Sequence, residues 1–88
     1  MFTSTNRVTE EVGATHVRFI GNVLYVSFSD GREVSVPIDR IDWLNWLAKA
    51  TPEQRSHWSI EPGGFAVYWN DLDDGIEVCR LLGMQPLT

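Results

Sequence analysis

Apolar and polar residues alternate along residues 16–37, which is the pattern of β-strands buried on one face. A Gly-Asn pair at residues 21–22 has the chemistry of a tight two-residue hairpin turn. Across this turn Phe19 faces Leu24, and the same pairing places the other aliphatic residues of both strands on one side. The pattern therefore predicts a hairpin with one wholly apolar face.

The next turn, at residues 29–31, is compatible with two strand registers. A two-residue Asp-Gly loop would turn Val34 and Val36 away from the apolar face of the first hairpin. A three-residue loop, with Gly31 in the left-handed conformation, pairs Val26 with Val34 and keeps all aliphatic residues on one face. We therefore predict the three-residue loop. It gives a three-stranded meander with strands over residues 16–20, 23–28 and 32–37.

Residues 37–58 contain three of the four tryptophans and the strongest helical pattern of the chain. Spacings of three and four predict a helix over residues 39–50, with Asp39 as its N-cap and one face on the meander. That face is formed by Ile38, Ile41, Leu44, Leu47 and Ala48. A second helix is predicted to begin at Thr51, because Pro52 suits a first helical position and Gln54 completes a capping box.

The remaining residues predict a second hairpin and a final helical turn. Residues 58–61 and 65–69 have the pattern of two strands joined by a Pro-Gly-Gly turn, and we expect them to extend the antiparallel sheet. In the second strand Phe65, Val67 and Trp69 should share one face. Residues 70–75 form a polar turn in this interpretation. The last segment is ambiguous: it could start as a short extended piece over residues 76–78, with a helical turn through Leu82 that stops at Gly83.

Together these elements predict an α+β fold. It consists of a small antiparallel sheet, made of a three-stranded meander and a later hairpin, packed against a central helix and short C-terminal helices. We expect residues 1–15 to be a flexible N-terminal arm and residues 16–88 to be a single domain. The length of 88 residues supports one domain and not two.

Charge and cysteine content restrict the function classes. The net charge of −5 argues against an autonomous nucleic-acid-binding protein and is compatible with a basic protein partner. A single cysteine, Cys79, excludes an internal disulfide and fits a reducing cytoplasm. No secretory signal pattern follows Met1, and no apolar run reaches the length of a membrane span. We therefore expect a cytoplasmic protein.

The acidic segment 71–77 is the sharpest candidate for chemistry. Its carboxylates could supply oxygen ligands to Mg²⁺ or Ca²⁺ over a short reach. The simpler interpretation is that one of them caps the last helix while the others favour its positive end. The candidate metal ligands are Asp71, Asp73, Asp74 and Glu77.

No catalytic constellation or cofactor motif is visible in the sequence. Cys79 lies among aliphatic residues, where a buried and unreactive thiol is the usual explanation. Ten aromatic residues are many for so small a core, so one or two could be exposed as interface anchors. We expect Arg55 to point towards the turn at residues 71–74, with a solvated surface position as the alternative. The candidate partner-binding residues are Arg55, Trp58, Tyr68 and Trp69.

The order of these motifs resembles a family of short, mostly bacterial proteins known as domain of unknown function 2442. The similarity covers about Val17 to Gly83. It is carried by Phe28-Ser29-Asp30-Gly31, Val36-Pro37-Ile38, Trp43 to Leu47, Ala50-Thr51-Pro52-Glu53-Gln54-Arg55, Trp58, Trp69-Asn70-Asp71-Leu72-Asp73 and Leu81-Leu82. The chain departs from the family at Asn70, where proline is common, and at Gly75, where an acidic residue is common. Both departures weaken the inference of an acidic site.

The resemblance implies an α+β fold with no established enzymatic activity and no catalytic residues to transfer. Members of the family are often encoded beside another small protein, in pairs that look like toxin–antitoxin modules. Some longer relatives add a helix-turn-helix domain.

We therefore interpret the chain first as a non-catalytic protein-binding module, an antitoxin-like member of a two-protein bacterial module. Its partner would be a small protein or a second copy of the chain, with no direct contact to nucleic acid or membrane. One alternative is a domain that binds a metal or small ligand through the acidic segment. Another is a transcriptional regulator that depends on a partner for DNA contacts.

Overall fold

The computed structural model describes residues 12–83, which form two antiparallel three-stranded sheets and several short helices. The strands are β1 (Ala14–Ile20), β2 (Val23–Phe28), β3 (Glu33–Pro37), β4 (Trp58–Ile60), β5 (Ala66–Trp69) and β6 (Asp74–Glu77). The α-helices are α1 (Asn45–Ala48), α2 (Pro52–Ser56) and α3 (Val78–Gly83). Within residues 12–83, 3₁₀ turns cover Ile38–Arg40, Asp42–Leu44, Pro62–Gly64 and Asn70–Leu72. The predicted α+β class is confirmed.

The N-terminal arm was expected to include residues 1–15. The structure starts β1 at Ala14, two residues earlier than the pattern predicted. Residues 1–11 lie outside the described part of the chain. None of the helices within residues 12–83 has the length and apolarity needed to cross a membrane.

Sheet A contains β1, β2 and β3, and its register is the predicted one. Phe19 lies opposite Leu24, and Val26 lies opposite Val34. The Phe28 amide donates to the Arg32 carbonyl at 2.9 Å and closes the three-residue loop. Gly31 has a φ of 93° there, a conformation that strains any side chain with a Cβ.

Sheet B contains β4, β5 and β6 and is separate from sheet A. The expectation that the second hairpin extends the first sheet is therefore wrong. Strands β1 and β4 lie beside each other without forming a hydrogen-bonded ladder. The polar turn predicted at residues 70–75 is also shorter than expected, because residues 74–77 pair with β5 as a third strand.

A close backbone contact joins the turn of the second hairpin to the start of sheet A. Gly64 has a φ of 73°, and a Cβ there would lie 2.9 Å from the Cα of Gly13. Gly13 is held in turn by Ser29, whose hydroxyl accepts from the Gly13 amide at 3.0 Å. Only glycine permits this approach, so the turn chemistry of residues 62–64 also positions sheet B against β1.

The continuous helix predicted over residues 39–50 is replaced by two 3₁₀ turns followed by one turn of α-helix. Ile41 interrupts the helical path with an extended backbone, φ −118° and ψ 116°. Pro37 occupies the position before the first turn, so Asp39 is not the N-cap. The apolar residues 38, 41, 44 and 47 are spaced by three, which matches the three residues per turn of a 3₁₀ helix better than an α-helix.

The second predicted helix start is confirmed. The Gln54 amide donates to the Thr51 hydroxyl at 3.1 Å, and the Thr51 amide donates to the Gln54 side-chain oxygen at 2.9 Å. Pro52 is the first helical residue of α2. This reciprocal capping box satisfies two amides that a five-residue helix could not pair internally.

The core lies between the inner faces of the two sheets and the central turns. Trp69 is its largest fully buried side chain, and its ring packs edge-on against Trp46 with centroids 5.9 Å apart. Leu44 and Leu47 are also fully buried, as predicted for the inward side of the central stretch. The other fully or nearly fully buried members are Ala14, Val17, Leu24, Val26, Phe28, Val34, Val36, Ile38, Val67, Ile76, Val78 and Leu81.

Candidate functional site

Arg55 joins the central helices to the first hairpin. Its guanidinium donates to the carbonyls of Leu47 at 3.2 Å and Ala48 at 2.9 Å, at the end of α1. It also donates to the Gly21 carbonyl at 3.1 Å and to the Asn22 side-chain oxygen at 3.2 Å. Within residues 12–83 no carboxylate forms an ion pair with it.

The expectation that Arg55 points towards residues 71–74 is therefore wrong. Its guanidinium occupies the partially negative C-terminal end of α1, which attracts a cation without any carboxylate. The link to the C-terminal segment runs through the backbone instead. The Trp69 indole N–H donates to the Arg55 carbonyl at 3.0 Å.

Among the other three predicted partner-binding residues, Trp58 lines the same groove as Arg55, whereas Tyr68 and Trp69 do not line it. Trp58 is half-buried and its ring is packed edge-on against the ring of His16, with centroids 5.4 Å apart. Tyr68 is half-buried in β5 and its hydroxyl donates to Asp73. Trp69 is fully buried, so its side chain cannot serve as the surface anchor that we expected.

The acidic segment has separate partners for its carboxylates. Asp71 accepts from His57 Nδ1 at 2.6 Å, Asp73 accepts from Tyr68, and Asp74 accepts from the Gly75 amide at 2.8 Å. No three histidine, cysteine or carboxylate side chains converge into a possible metal site anywhere in residues 12–83. The described geometry thus gives the metal-binding alternative no site.

Two hydrogen bonds of this segment shift the ionisation of their partners. The Asp71 carboxylate raises the pKa of His57, first by accepting its hydrogen bond and then by its negative charge. The hydrogen bond to Asp73 raises the pKa of the Tyr68 hydroxyl, because loss of the proton would place two anions side by side. These carboxylates therefore fix neighbouring side chains.

A groove of about 510 Å³ opens on the outer side of sheet B, and its walls are mostly apolar. We call it the Phe65 groove. It is lined by Val12, Phe65, Ala66, Glu77, Val78, Cys79 and Leu82. The Phe65 side chain is 57% exposed, which is unusual for so large an apolar group.

Two sequence expectations fail at this groove. Phe65 was expected to share one strand face with Val67 and Trp69. Its backbone is instead in the right-handed helical region, φ −75° and ψ −23°, and β5 begins only at Ala66. It therefore falls outside the strand alternation. Cys79 was expected to be buried and is exposed, with Glu77 Oε1 4.0 Å from its sulfur. No sequence signal marked Phe65, although the Gly-Gly turn before it indicates an irregular strand start.

A second groove of about 380 Å³ lies on the opposite side of β6. We call it the tryptophan groove. It is lined by Trp43, Trp46, Asp74, Gly75, Ile76, Glu77 and Arg80. The Arg80 guanidinium carbon lies 3.7 Å from the centroid of the Trp43 ring, a close cation–π contact. Glu77 belongs to both grooves, so the two meet at the edge strand of sheet B.

A third groove, about 590 Å³, lies beside the first hairpin turn and contains Arg55 and Trp58. Two guanidinium groups line it, and both have partners: backbone carbonyls hold Arg55, and Arg18 pairs with Glu33 at 3.2 Å. This groove therefore has a clear structural explanation.

The surface around sheet B is acidic. Residues 58–83 contain five acidic side chains and a single basic one, Arg80. The acidic side chains are Glu61, Asp71, Asp73, Asp74 and Glu77. An apolar groove with an exposed aromatic ring, surrounded by negative charge, is suited to binding a surface that presents apolar and basic side chains.

Comparison with known proteins identifies a family. The model of a family described as "Protein of unknown function (DUF2442)" matches residues 14–83 of the chain. No curated protein matches the chain. No solved structure matches it.

Proposed function

The chain belongs to the DUF2442 family of proteins of unknown function, and we propose that it is a non-catalytic module that binds a small basic protein. The Phe65 groove is the binding surface in this proposal. The observation that carries it is the exposure of Phe65, whose ring stands 57% open to solvent at the rim of an apolar groove. Aromatic side chains in such positions are frequent anchors of protein interfaces.

Charge supports a basic partner over a second copy of the chain. The five carboxylates of residues 58–83 would repel the same surface of another copy. A basic partner would be attracted by them before contact, and its association should weaken as salt is added. The partner would also cover Phe65, whose apolar surface favours burial.

Two equally exposed apolar side chains provide a matched test. Phe65 and Ile20 are both 57% exposed, but Ile20 lies at the first hairpin turn and does not line the Phe65 groove. A protein that copurifies from the native cell would be identified, purified and titrated against Phe65→Ser and Ile20→Ser. We expect a basic protein whose affinity falls about tenfold to a hundredfold with Phe65→Ser, the range of an interface anchor, and stays unchanged with Ile20→Ser.

Two outcomes would refute this proposal. One is a partner that binds both variants with wild-type affinity, which would place the interface elsewhere. The other is an acidic partner whose binding becomes tighter as salt is added. Unfolding curves of both variants exclude a loss of fold as the cause of weaker binding.

An antitoxin-like role in a bacterial two-protein module is the finer form of this proposal. Family resemblance and the acidic surface of residues 58–83 support it, and the cytoplasm is the compartment that we propose, in keeping with a single cysteine. Expression of the partner alone should then arrest growth, and coexpression of this chain should restore it. Phe65→Ser should fail to restore growth, while harmless expression of the partner alone would refute the antitoxin-like role without affecting the binding proposal.

A further inference from the structure

We propose that the open edge of β6 binds an extended basic segment of the partner as an additional strand. Side chains of this segment would alternate between the Phe65 groove and the tryptophan groove. This inference rests on the proposed function, because it states how the partner is held. It adds a mode of recognition, β-strand addition, in which main-chain hydrogen bonds supply affinity and side-chain grooves supply selectivity.

The first observation is the strand order of sheet B. β5 is the central strand, and among the described residues β6 pairs with β5 alone. Its other edge therefore presents backbone groups that no strand within residues 12–83 pairs. Exposed strand edges of this kind are templates for pairing with another chain.

The hydrogen-bonding pattern between β5 and β6 identifies which backbone groups of β6 face outward. The Val78 amide donates to the Phe65 carbonyl at 2.8 Å, so Val78 faces β5. Backbone groups alternate in direction along an antiparallel strand, which turns those of Ile76 towards β5 and those of Gly75 and Glu77 outward. The Gly75 amide agrees with this pattern, because it is bonded to the Asp74 side chain and not to β5.

The Asp74 carboxylate thus already satisfies one outward amide of the edge. The Gly75 carbonyl and the Glu77 amide remain, and neither takes part in a turn or side-chain hydrogen bond within residues 12–83. These two groups belong to residues on either side of Ile76. In a parallel pair of strands, one residue of the added strand can donate its amide to the Gly75 carbonyl and accept from the Glu77 amide through its own carbonyl.

The second observation is that a groove lies on each face of the sheet beside this edge. Ala66 and Glu77 are paired on the outer face, where the Phe65 groove opens. Ile76 belongs to the inner face, where the tryptophan groove opens. Because successive side chains of a strand point to opposite faces, an added strand would send alternate residues into the two grooves.

The chemistry of the two grooves differs and specifies the partner segment. The Phe65 groove accepts apolar side chains. The tryptophan groove offers Asp74, Glu77 and aromatic rings, which together favour a lysine or arginine. Arg80 on the Trp43 ring shows that a guanidinium fits against this surface. The segment therefore alternates apolar with basic residues.

A second copy of β6 is a poorer occupant of this edge. Edge-to-edge pairing of two copies would bring Asp74 and Glu77 of one chain beside those of the other. Like charges opposite each other destabilise strand pairs. A basic segment instead neutralises the same carboxylates.

The direct test uses a short capped peptide that alternates lysine with valine. A peptide of the same composition, with its lysines and valines in separate blocks, is the control for alternation. A third peptide carries N-methyl groups on alternate amides and so cannot form main-chain bonds along one edge. The titration is followed by nuclear magnetic resonance. The amide signal of Glu77 and the indole signals of Trp43 and Trp46 should change their chemical shifts as the alternating peptide binds. The N-methylated peptide should bind about tenfold more weakly, as expected for the loss of one or two main-chain hydrogen bonds. The block peptide should also bind about tenfold more weakly, because it cannot place apolar side chains in one groove and basic side chains in the other.

A matched pair of proline substitutions tests the same edge from the protein side. Glu77→Pro removes the outward amide of β6. Ser35→Pro is the control, because it removes an outward amide of the other edge strand, β3. The Phe28 amide donates to the Arg32 carbonyl, and the alternation of backbone groups along β3 then turns the Ser35 amide away from β2. Glu77→Pro should lower the affinity for the alternating peptide and for the partner about fivefold or more, and Ser35→Pro should leave both affinities unchanged.

The outcomes separate this inference from the proposed function. If the partner needs Phe65 but binds Glu77→Pro as tightly as wild type, strand addition is wrong and the binding module stands. If the partner also binds Phe65→Ser with wild-type affinity, the proposed function fails. Equal affinity for the alternating, block and N-methylated peptides, or no binding of any of them, also overturns strand addition, and that result holds even if Glu77→Pro fails to fold.

Discussion

Replacement of Arg55 by methionine should test the most heavily bonded side chain of the structure. Methionine keeps much of the apolar stem and removes all donors of the guanidinium. Four hydrogen bonds would be lost, two to the end of α1 and two to the first hairpin turn at residues 21–22. The substitution therefore separates the end of α1 from the first hairpin turn, which no other side chain within residues 12–83 joins by hydrogen bonds.

The expected cost follows from the burial of those bonds. Hydrogen bonds with one charged partner contribute about 1.5–3 kcal/mol each when well shielded, and less at the surface. The bonds to Leu47 and Ala48 are partly buried, and those to Gly21 and Asn22 are exposed. We expect a total loss of about 2–4 kcal/mol, out of the 5–15 kcal/mol typical of a small domain. Lysine should recover only part of this loss, because it lacks the planar fork.

Urea unfolding followed by tryptophan fluorescence measures this loss. Double-mutant cycles then identify the partner of the guanidinium. The cycle with Asn22→Ala should give a coupling of about 0.5–1 kcal/mol, and the cycle with Asp73→Asn should give none. A loss below about 0.5 kcal/mol for Arg55→Met, or a stronger coupling to Asp73 than to Asn22, would refute this assignment.

Two further predictions concern the core and the acidic segment. Leu44→Ala should lower the free energy of unfolding by about 2–5 kcal/mol, since Leu44 is fully buried. The exposed control Ile20→Ala should change it by less than about 0.5 kcal/mol. A small effect at Leu44 would contradict the packing of the central turns. The raised pKa of His57 means that its bond to Asp71 stabilises the fold most below the ordinary pKa of 6.5 and loses this effect as the pH rises through the raised pKa. The melting temperature of Asp71→Asn should therefore lie furthest below that of wild type at about pH 5 to 6 and approach it above neutrality. A difference that grows with pH would contradict the assignment.

The sequence predicted sheet A in detail because two independent signals agreed there. The alternation of apolar residues chose the buried face, and the turn chemistry at Gly31 chose the loop length. A register slip would have turned Val34 to solvent, so the burial of apolar surface excluded the alternative. The capping box at Thr51 was equally predictable, because it depends on contacts only three residues apart.

Sheet B and the central stretch were predicted less well. Residues 74–77 combine Asp, Gly, Ile and Glu, a set with low strand propensity, and they form a strand only because β5 offers an edge for pairing. The spacing of three in residues 38–47 fits a 3₁₀ turn as well as an α-helix, and the sequence alone did not separate them.

The candidate site was missed for a related reason. Phe65 leaves the strand alternation because the left-handed Gly63 and Gly64 place the start of β5 one residue later. The Phe65 groove also combines Val12 with residues 77–82, which are distant in sequence. Tertiary packing decides such an arrangement. The predicted candidates Arg55 and Trp69 instead hold the fold together through their hydrogen bonds.

Amide hydrogen exchange of the complex with the native partner tests the central claim most directly. We predict that binding protects residues 65–66 and 75–79, which line the Phe65 groove and the edge of β6. Residues 20–22, at the first hairpin turn, should exchange at the same rate with and without partner. Protection confined to the first hairpin and α2, with unchanged exchange at residues 65–66 and 75–79, would contradict the account.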